Sequence, residues 1–106
     1  MEHLKFEFDG GVTPAEPGAK PVLVGVVASS NLEVLAEPAD LGGKCRFEVA
    51  TTVAHFADAW KAVFEDFMER QKPRDVVFSI NDFAATPPVV SFRLDQAWES
   101  LLEQKL

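Results

Sequence analysis

Val22-Leu23-Val24-Gly25-Val26-Val27-Ala28-Ser29-Ser30-Asn31-Leu32-Glu33-Val34-Leu35-Ala36 decides how the chain is read: two apolar runs flank a small polar trio, Ser29, Ser30 and Asn31. Val22 to Ala28 is continuous, apolar and rich in β-branched residues, which suits a strand buried on both faces better than a short helix. Beyond the trio, Leu32, Val34 and Ala36 alternate with Glu33, Leu35 and Glu37, the period of a second strand. A polar break this short predicts a tight hairpin, because Asn tolerates the positive φ of primed turns and Ser bonds locally to the backbone. On the trio alone, Ser29 and Ser30 read equally well as ordinary turn residues.

Outward from that hairpin, 106 residues suit one domain, 1–106, with a single hydrophobic core. Hydrophobic residues at 47% and charged residues at 25% match a folded globular chain rather than a disordered one. The lone cysteine, Cys45, excludes an internal disulfide, and the first residues carry no basic-then-apolar leader, so a cytoplasmic protein is expected. No apolar run approaches the roughly 20 residues of a membrane helix, so no membrane partner is expected. A formal charge of −7, with no basic stripe to offset it, argues against nucleic acid as a partner. The same acidity suits docking to basic protein surfaces, and equally suits plain solubility.

His3 to Phe8 alternates, with Leu4, Phe6 and Phe8 inward, and predicts a strand at or near a sheet edge. Asp9 to Pro21, broken by Gly10, Gly11, Gly18, Pro14 and Pro17, predicts a solvated loop. Glu37 to Gly43 is a turn-rich connection that predicts a second hairpin into Lys44–Thr51, whose Cys45, Phe47, Val49 and Thr51 share one face. A core-facing Cys45 is a small hydrophobe, and neither it nor His3 and His55 has metal-ligand spacing, so no metal and no catalytic residue is predicted. Thr52 is the expected N-cap of a helix whose stripe is Phe56, Trp60, Val63, Phe64 and Phe67, ended by Pro73. Its outer face bears Asp58, Lys61, Glu65, Asp66 and Glu69. The like-charged Glu65–Glu69 pair there points to a partner surface. Val76, Phe78 and Ile80 mark another strand closed by Asn81-Asp82. Val89 to Leu94 fits either period, and Thr86-Pro87 as a cap-plus-N1 start favours one helix from there to the end.

The result is an α+β fold: a mainly antiparallel sheet with two amphipathic helices packed on one face. The start Met1-Glu2-His3-Leu4, the segment Gly25 to Leu35, Thr51-Thr52-Val53, Trp60, and Asn81-Asp82-Phe83-Ala84-Ala85-Thr86-Pro87 together resemble the acyl carrier (delta) subunits of malonate decarboxylase, with citrate lyase carrier subunits as more distant relatives. The resemblance spans nearly the whole chain apart from the Gly10 to Lys20 loop, which is longer than the family pattern. It implies a non-catalytic carrier bearing 2'-(5''-phosphoribosyl)-3'-dephospho-CoA through a phosphodiester on the serine after the glycine-led apolar run. By position that serine is Ser29, with Ser30 the alternative hydroxyl. It further implies acetyl and malonyl thioesters as cargo, and as partners the acyl-transferase and decarboxylase subunits and a holo-carrier-forming transferase. The acidic helix face around Asp58, Glu65 and Glu69 is the expected docking surface. Two departures stand out: Ser29-Ser30-Asn31 replaces the usual Ser-Gly-Asp, and Ala84 replaces a usual glycine. A citrate lyase-type carrier and an unmodified α+β ligand-binding or regulatory module are the competing expectations. The last of these gains ground if the loops form a convergent polar pocket.

Overall fold

A computed structural model describes residues 1–104. Its main sheet is built from β1 (Glu2–Asp9), β3 (Val22–Gly25), β4 (Asn31–Pro38), β5 (Lys44–Thr51) and β7 (Val76–Phe83), in the order β1-β5-β7-β4-β3. Alternation drives each long strand. Leu32, Val34 and Ala36 of β4, Cys45, Phe47 and Val49 of β5, and Val76, Phe78 and Ile80 of β7 all face one side and are buried. Two helices, α1 (Ala57–Gln71) and α2 (Pro87–Leu102), cover that side with Trp60, Phe64 and Phe67, and with Val90, Leu94, Ala97, Trp98 and Leu101. Phe47 sits at the centre, stacked on Phe64 at 4.1 Å and on Phe78 at 5.3 Å between ring centroids. The opposite side of the sheet carries Lys5, Glu33, Glu37, Arg46 and Glu48, none of them fully buried. The expected α+β architecture therefore holds, with α2 formed as a single helix that ends at Leu102 instead of running on as expected; the last two positions of that expectation, 105 and 106, lie outside the described residues.

Within this sheet all neighbouring strands are antiparallel except β5 and β7, whose parallel pairing needs the crossover that α1 supplies. That crossover overturns the expected second hairpin. β7 inserts between β4 and β5, so the Glu37 to Gly43 connection steps over a strand position instead of folding back on itself. Asp75 makes the step possible: its carboxylate accepts the Gly43 and Leu41 N–H groups at 2.8 and 3.0 Å. These two backbone donors, and then Arg74, hold its carboxyl below the usual carboxylate range.

Three further expectations need correction. The run Val22 to Ala28 is not a strand buried on both faces: β3 ends at Gly25, lies on the sheet edge, and leaves Leu23 61% exposed. A continuous apolar run does not distinguish a central strand from an edge strand that runs on into an apolar turn. Thr52 does not cap α1. The helix starts at Ala57 behind Phe56, while the Thr52 N–H donates to the Asp82 carbonyl and prolongs the sheet contact. Turn and cap positions favour the same residues, so a threonine before a helix does not by itself locate the cap. The Asp9 to Pro21 loop is also tied down, by a short parallel pair between β2 (Thr13–Pro14) and β6 (Pro73–Arg74) and by burial of Ala19.

Cys45 lies at the end of β5 opposite Thr51, buried between Phe8 and Val76 in register. Burial pushes its thiol up to about 12, so the group stays protonated and inert at neutral pH.

Candidate functional site

The polar trio forms the turn between β3 and β4. The Ala28 carbonyl accepts the Asn31 N–H at 3.0 Å, which places Ser29 and Ser30 at the two central positions of a β-turn. Ser30, not Asn31, takes the positive φ, at 61°, the left-handed third position of a type II turn. Asn31 instead opens β4, and its side-chain oxygen accepts the Leu32 N–H at 2.8 Å. The Ser30 N–H donates to the Phe83 carbonyl at 2.7 Å and fastens the turn to the end of β7. Both serines are exposed, but only Ser30 has its backbone bonded to the sheet; Ser29 occupies the outer corner.

Gly25 begins the departure from the sheet at φ 90°, where an added Cβ would run into the Leu32 carbonyl oxygen. Only glycine suits that position. Val26 and Val27, both more than half exposed, then carry the chain out to Ala28 and Ser29.

The turn rests on the β7–α2 connection. Asp82, 2% exposed, accepts the Thr51 hydroxyl at 2.8 Å with one carboxylate oxygen and the Ala85 N–H at 3.1 Å with the other. Thr51 in turn accepts the Val53 N–H at 3.1 Å, so one buried network joins the end of β5, the end of β7 and the approach to α2. Ala84 between them has φ 64°, a left-handed conformation that glycine adopts at less cost than alanine. Ala84→Gly is expected to raise stability by about 1 kcal/mol, the relief of a left-handed alanine, as read by urea midpoint at unchanged slope.

Beside this network the first turns of the two helices enclose an apolar cavity of about 320 Å³, walled by Phe56, Trp60, Val63 and Val90. The polar atoms of Thr51 and Asp82 at its lining are engaged with one another and with backbone. They do not converge on the space. Among the described residues no group of three or more His, Cys, Asp or Glu could hold a metal, and no helix is long and apolar enough to cross a membrane.

The structure separates the predicted site residues. Ser29 and Ser30 are together at the turn. Of the acidic face, Asp58 lies in the first turn of α1, and Glu65 and Glu69 follow about two and three turns further along the exposed side of the helix. α2 packs on β3 and β4 and so flanks the turn, whereas α1 reaches over to β1. Sequence reasoning missed Asp82, which it took only as a strand end, although its spacing from Ile80 puts it on the core face.

Fold and site thus define a small α+β domain that holds an exposed, backbone-anchored serine turn out from one end of its sheet. Among known families, the model described as malonate decarboxylase delta subunit (MdcD) matches residues 19–101. The chain belongs to that family, as the Gly25 to Leu35 and Asn81 to Pro87 segments suggested. It is 52% identical over 102 residues to a malonate decarboxylase acyl carrier protein of Stenotrophomonas maltophilia (strain R551-3), covering 96% of this chain and 95% of that one. A protein of the same name from Xanthomonas campestris pv. campestris (strain B100) is 50% identical over 101 residues, covering 95% of each. Among solved structures, a chain of a Pseudomonas malonate decarboxylase hetero-tetramer in complex with malonate superposes with a TM-score of 0.83 at 42% identity, covering 95% of this chain and 99% of that one.

Proposed function

We propose that this chain is the non-catalytic acyl carrier subunit of a malonate decarboxylase, and that it bears 2'-(5''-phosphoribosyl)-3'-dephospho-CoA on Ser29. One observation carries the reading: Ser29 is the exposed outer corner of a turn whose backbone is fastened to the sheet, in a chain about half identical to named carriers over nearly its full length. The residues fit such a group. A hydroxyl at the corner, with small Ala28 and Ser30 beside it, leaves room for a transferase active site to close over it. Attachment needs an activated phosphoanhydride donor. The Ser29 oxygen forms a new P–O bond as the anhydride P–O bond breaks, its phosphate part leaves, and the hydroxyl proton passes to a base of the transferase. When bound, the group supplies a thiol that carries acetyl and malonyl as thioesters.

The rest of the chain's work is presentation. The Ser30–Phe83 bond and the Asp82 network hold the turn still, so a tethered acyl group is delivered to the acyl-transferase and decarboxylase subunits at high effective concentration. Intact mass of the chain, purified from cells making active complex, is the test. The expected result is one adduct of the dephospho-CoA arm. An unmodified mass from those cells would overturn the carrier reading.

A further inference from the structure

We infer that Arg93 and Phe92, on the first half of α2, seat the nucleotide end of the prosthetic group: Arg93 takes the phosphodiester at Ser29, and the Phe92 ring stacks on the adenine. The inference rests on the attachment proposed above. Arg93 Nε lies 3.4 Å from the Asn31 side-chain oxygen, two residues from Ser29, and its Nη1 donates to Gln96 Oε1 at 2.9 Å. The chain has four arginines. Arg46 pairs with Glu7, Arg70 with Asp66 and Asp95, and Arg74 with Asp75. Among the described residues, Arg93 alone of the four meets only neutral acceptors. In a chain of formal charge −7, it is the guanidinium set beside the serine turn.

A phosphodiester bonded to Ser29 puts a fixed negative charge at that turn. Guanidinium binds phosphate oxygens in charge-assisted bonds roughly twice as strong as neutral ones. The 3.4 Å contact to Asn31 is long for a hydrogen bond, so Arg93 gives it up at little cost. Phe92 completes the seat. Phe92 is 61% exposed, whereas Phe47, Phe64, Phe67 and Phe78 are buried, and its ring centroid lies 5.5 Å from Arg93 Cζ. One guanidinium therefore borders both the turn and an exposed aromatic side chain. In the attached group two linked ribose rings separate the diester from the adenine, and the seat offers its cation and its ring in the same order. Base–aromatic stacking contributes about 1–3 kcal/mol per base in nucleic-acid complexes.

The test compares unloaded and loaded full-length chain, isotope-labelled, by NMR, with loading on Ser29 fixed by intact mass and peptide mapping. The expected result is a moved Arg93 Nε–Hε resonance and a nuclear Overhauser contact from adenine protons to the Phe92 ring. Arg93→Gln shifts the phosphorus resonance of the loaded diester, Arg93→Lys shifts it less, and Phe92→Ala moves the adenine proton resonances toward those of the free nucleotide. A loaded chain whose Arg93 and Phe92 signals coincide with those of the unloaded chain would overturn this seat while leaving the attachment standing. A chain that never acquires the adduct would overturn both.

Discussion

Ser29→Ala is expected to abolish the adduct and, with it, malonate turnover by the reconstituted complex, while leaving the carrier folded. Ser29 is exposed and no backbone bond of the sheet passes through it, so its hydroxyl contributes little to stability, within about 0.5 kcal/mol. The loss is therefore one of chemistry alone. An alanine has no oxygen to bond to phosphorus, and a carrier without its arm has no thiol to offer. Ser30→Ala is the control. Its φ of 61° must be retained by alanine, at a modest cost in stability, but the corner hydroxyl remains and the adduct should be retained. Intact mass reads both variants, and circular dichroism melting separates a folding defect from a missing nucleophile. An adduct that persists in Ser29→Ala and vanishes in Ser30→Ala would move the attachment to the neighbouring hydroxyl and leave the carrier function untouched.

Which parts of this arrangement could be read from the sequence follows from what periodicity records. Alternation in Leu32-Glu33-Val34-Leu35-Ala36, in Lys44 to Thr51 and in Val76 to Ile80 reports which face is buried, and the structure places each of those residues as expected. It does not report which strand lies beside which. The insertion of β7 between β4 and β5 is a long-range pairing set by the α1 crossover, and nothing local in Glu37 to Gly43 distinguishes a hairpin from a step over one strand. The turn itself was legible; its conformation was not. Asn31 has the stronger intrinsic preference for positive φ, yet Ser30 adopts it, because pairing Asn31 with Phe83 keeps Asn31 in β4. The same limit applies to Arg93 and Phe92. Their helical spacing identifies α2, but their place beside the turn depends on how α2 lies across β3 and β4.

Asp82→Ala is expected to produce the largest loss of stability among the changes considered. The carboxylate is 2% exposed and makes two hydrogen bonds, to the Thr51 hydroxyl and to the Ala85 N–H, at the point where β5, β7 and α2 meet. Removing it takes away both, leaves the part-buried Ala85 N–H without its acceptor and the Thr51 hydroxyl with only the long contact to the Val53 carbonyl, at a cost of roughly 2–4 kcal/mol. At a domain size near 100 residues that corresponds to a fall in Tm of roughly 10–25 °C. Asp82→Asn should cost less than half as much. Its oxygen still accepts the Ala85 N–H, its amide donates to Thr51 Oγ1, and the threonine proton turns to the Val53 carbonyl, already 3.5 Å away. Equal losses in the two variants would mean that the charge of Asp82, rather than its hydrogen bonds, holds the corner. The consequence reaches the serine turn through Phe83, which follows Asp82 directly and whose carbonyl accepts the Ser30 N–H. If Asp82 fixes that carbonyl, loading of Ser29 at a temperature where Asp82→Ala remains folded should slow relative to the parent chain, whereas loading of Asp82→Asn should not. The sequence holds both halves of this network in plain view, since Thr51 follows Cys45, Phe47 and Val49 on the core face of one strand just as Asp82 follows Val76, Phe78 and Ile80 on the next. Two polar residues in the last core positions of adjacent parallel strands must find each other or remain unsatisfied, and here their pairing is what gives the serine turn a rigid base.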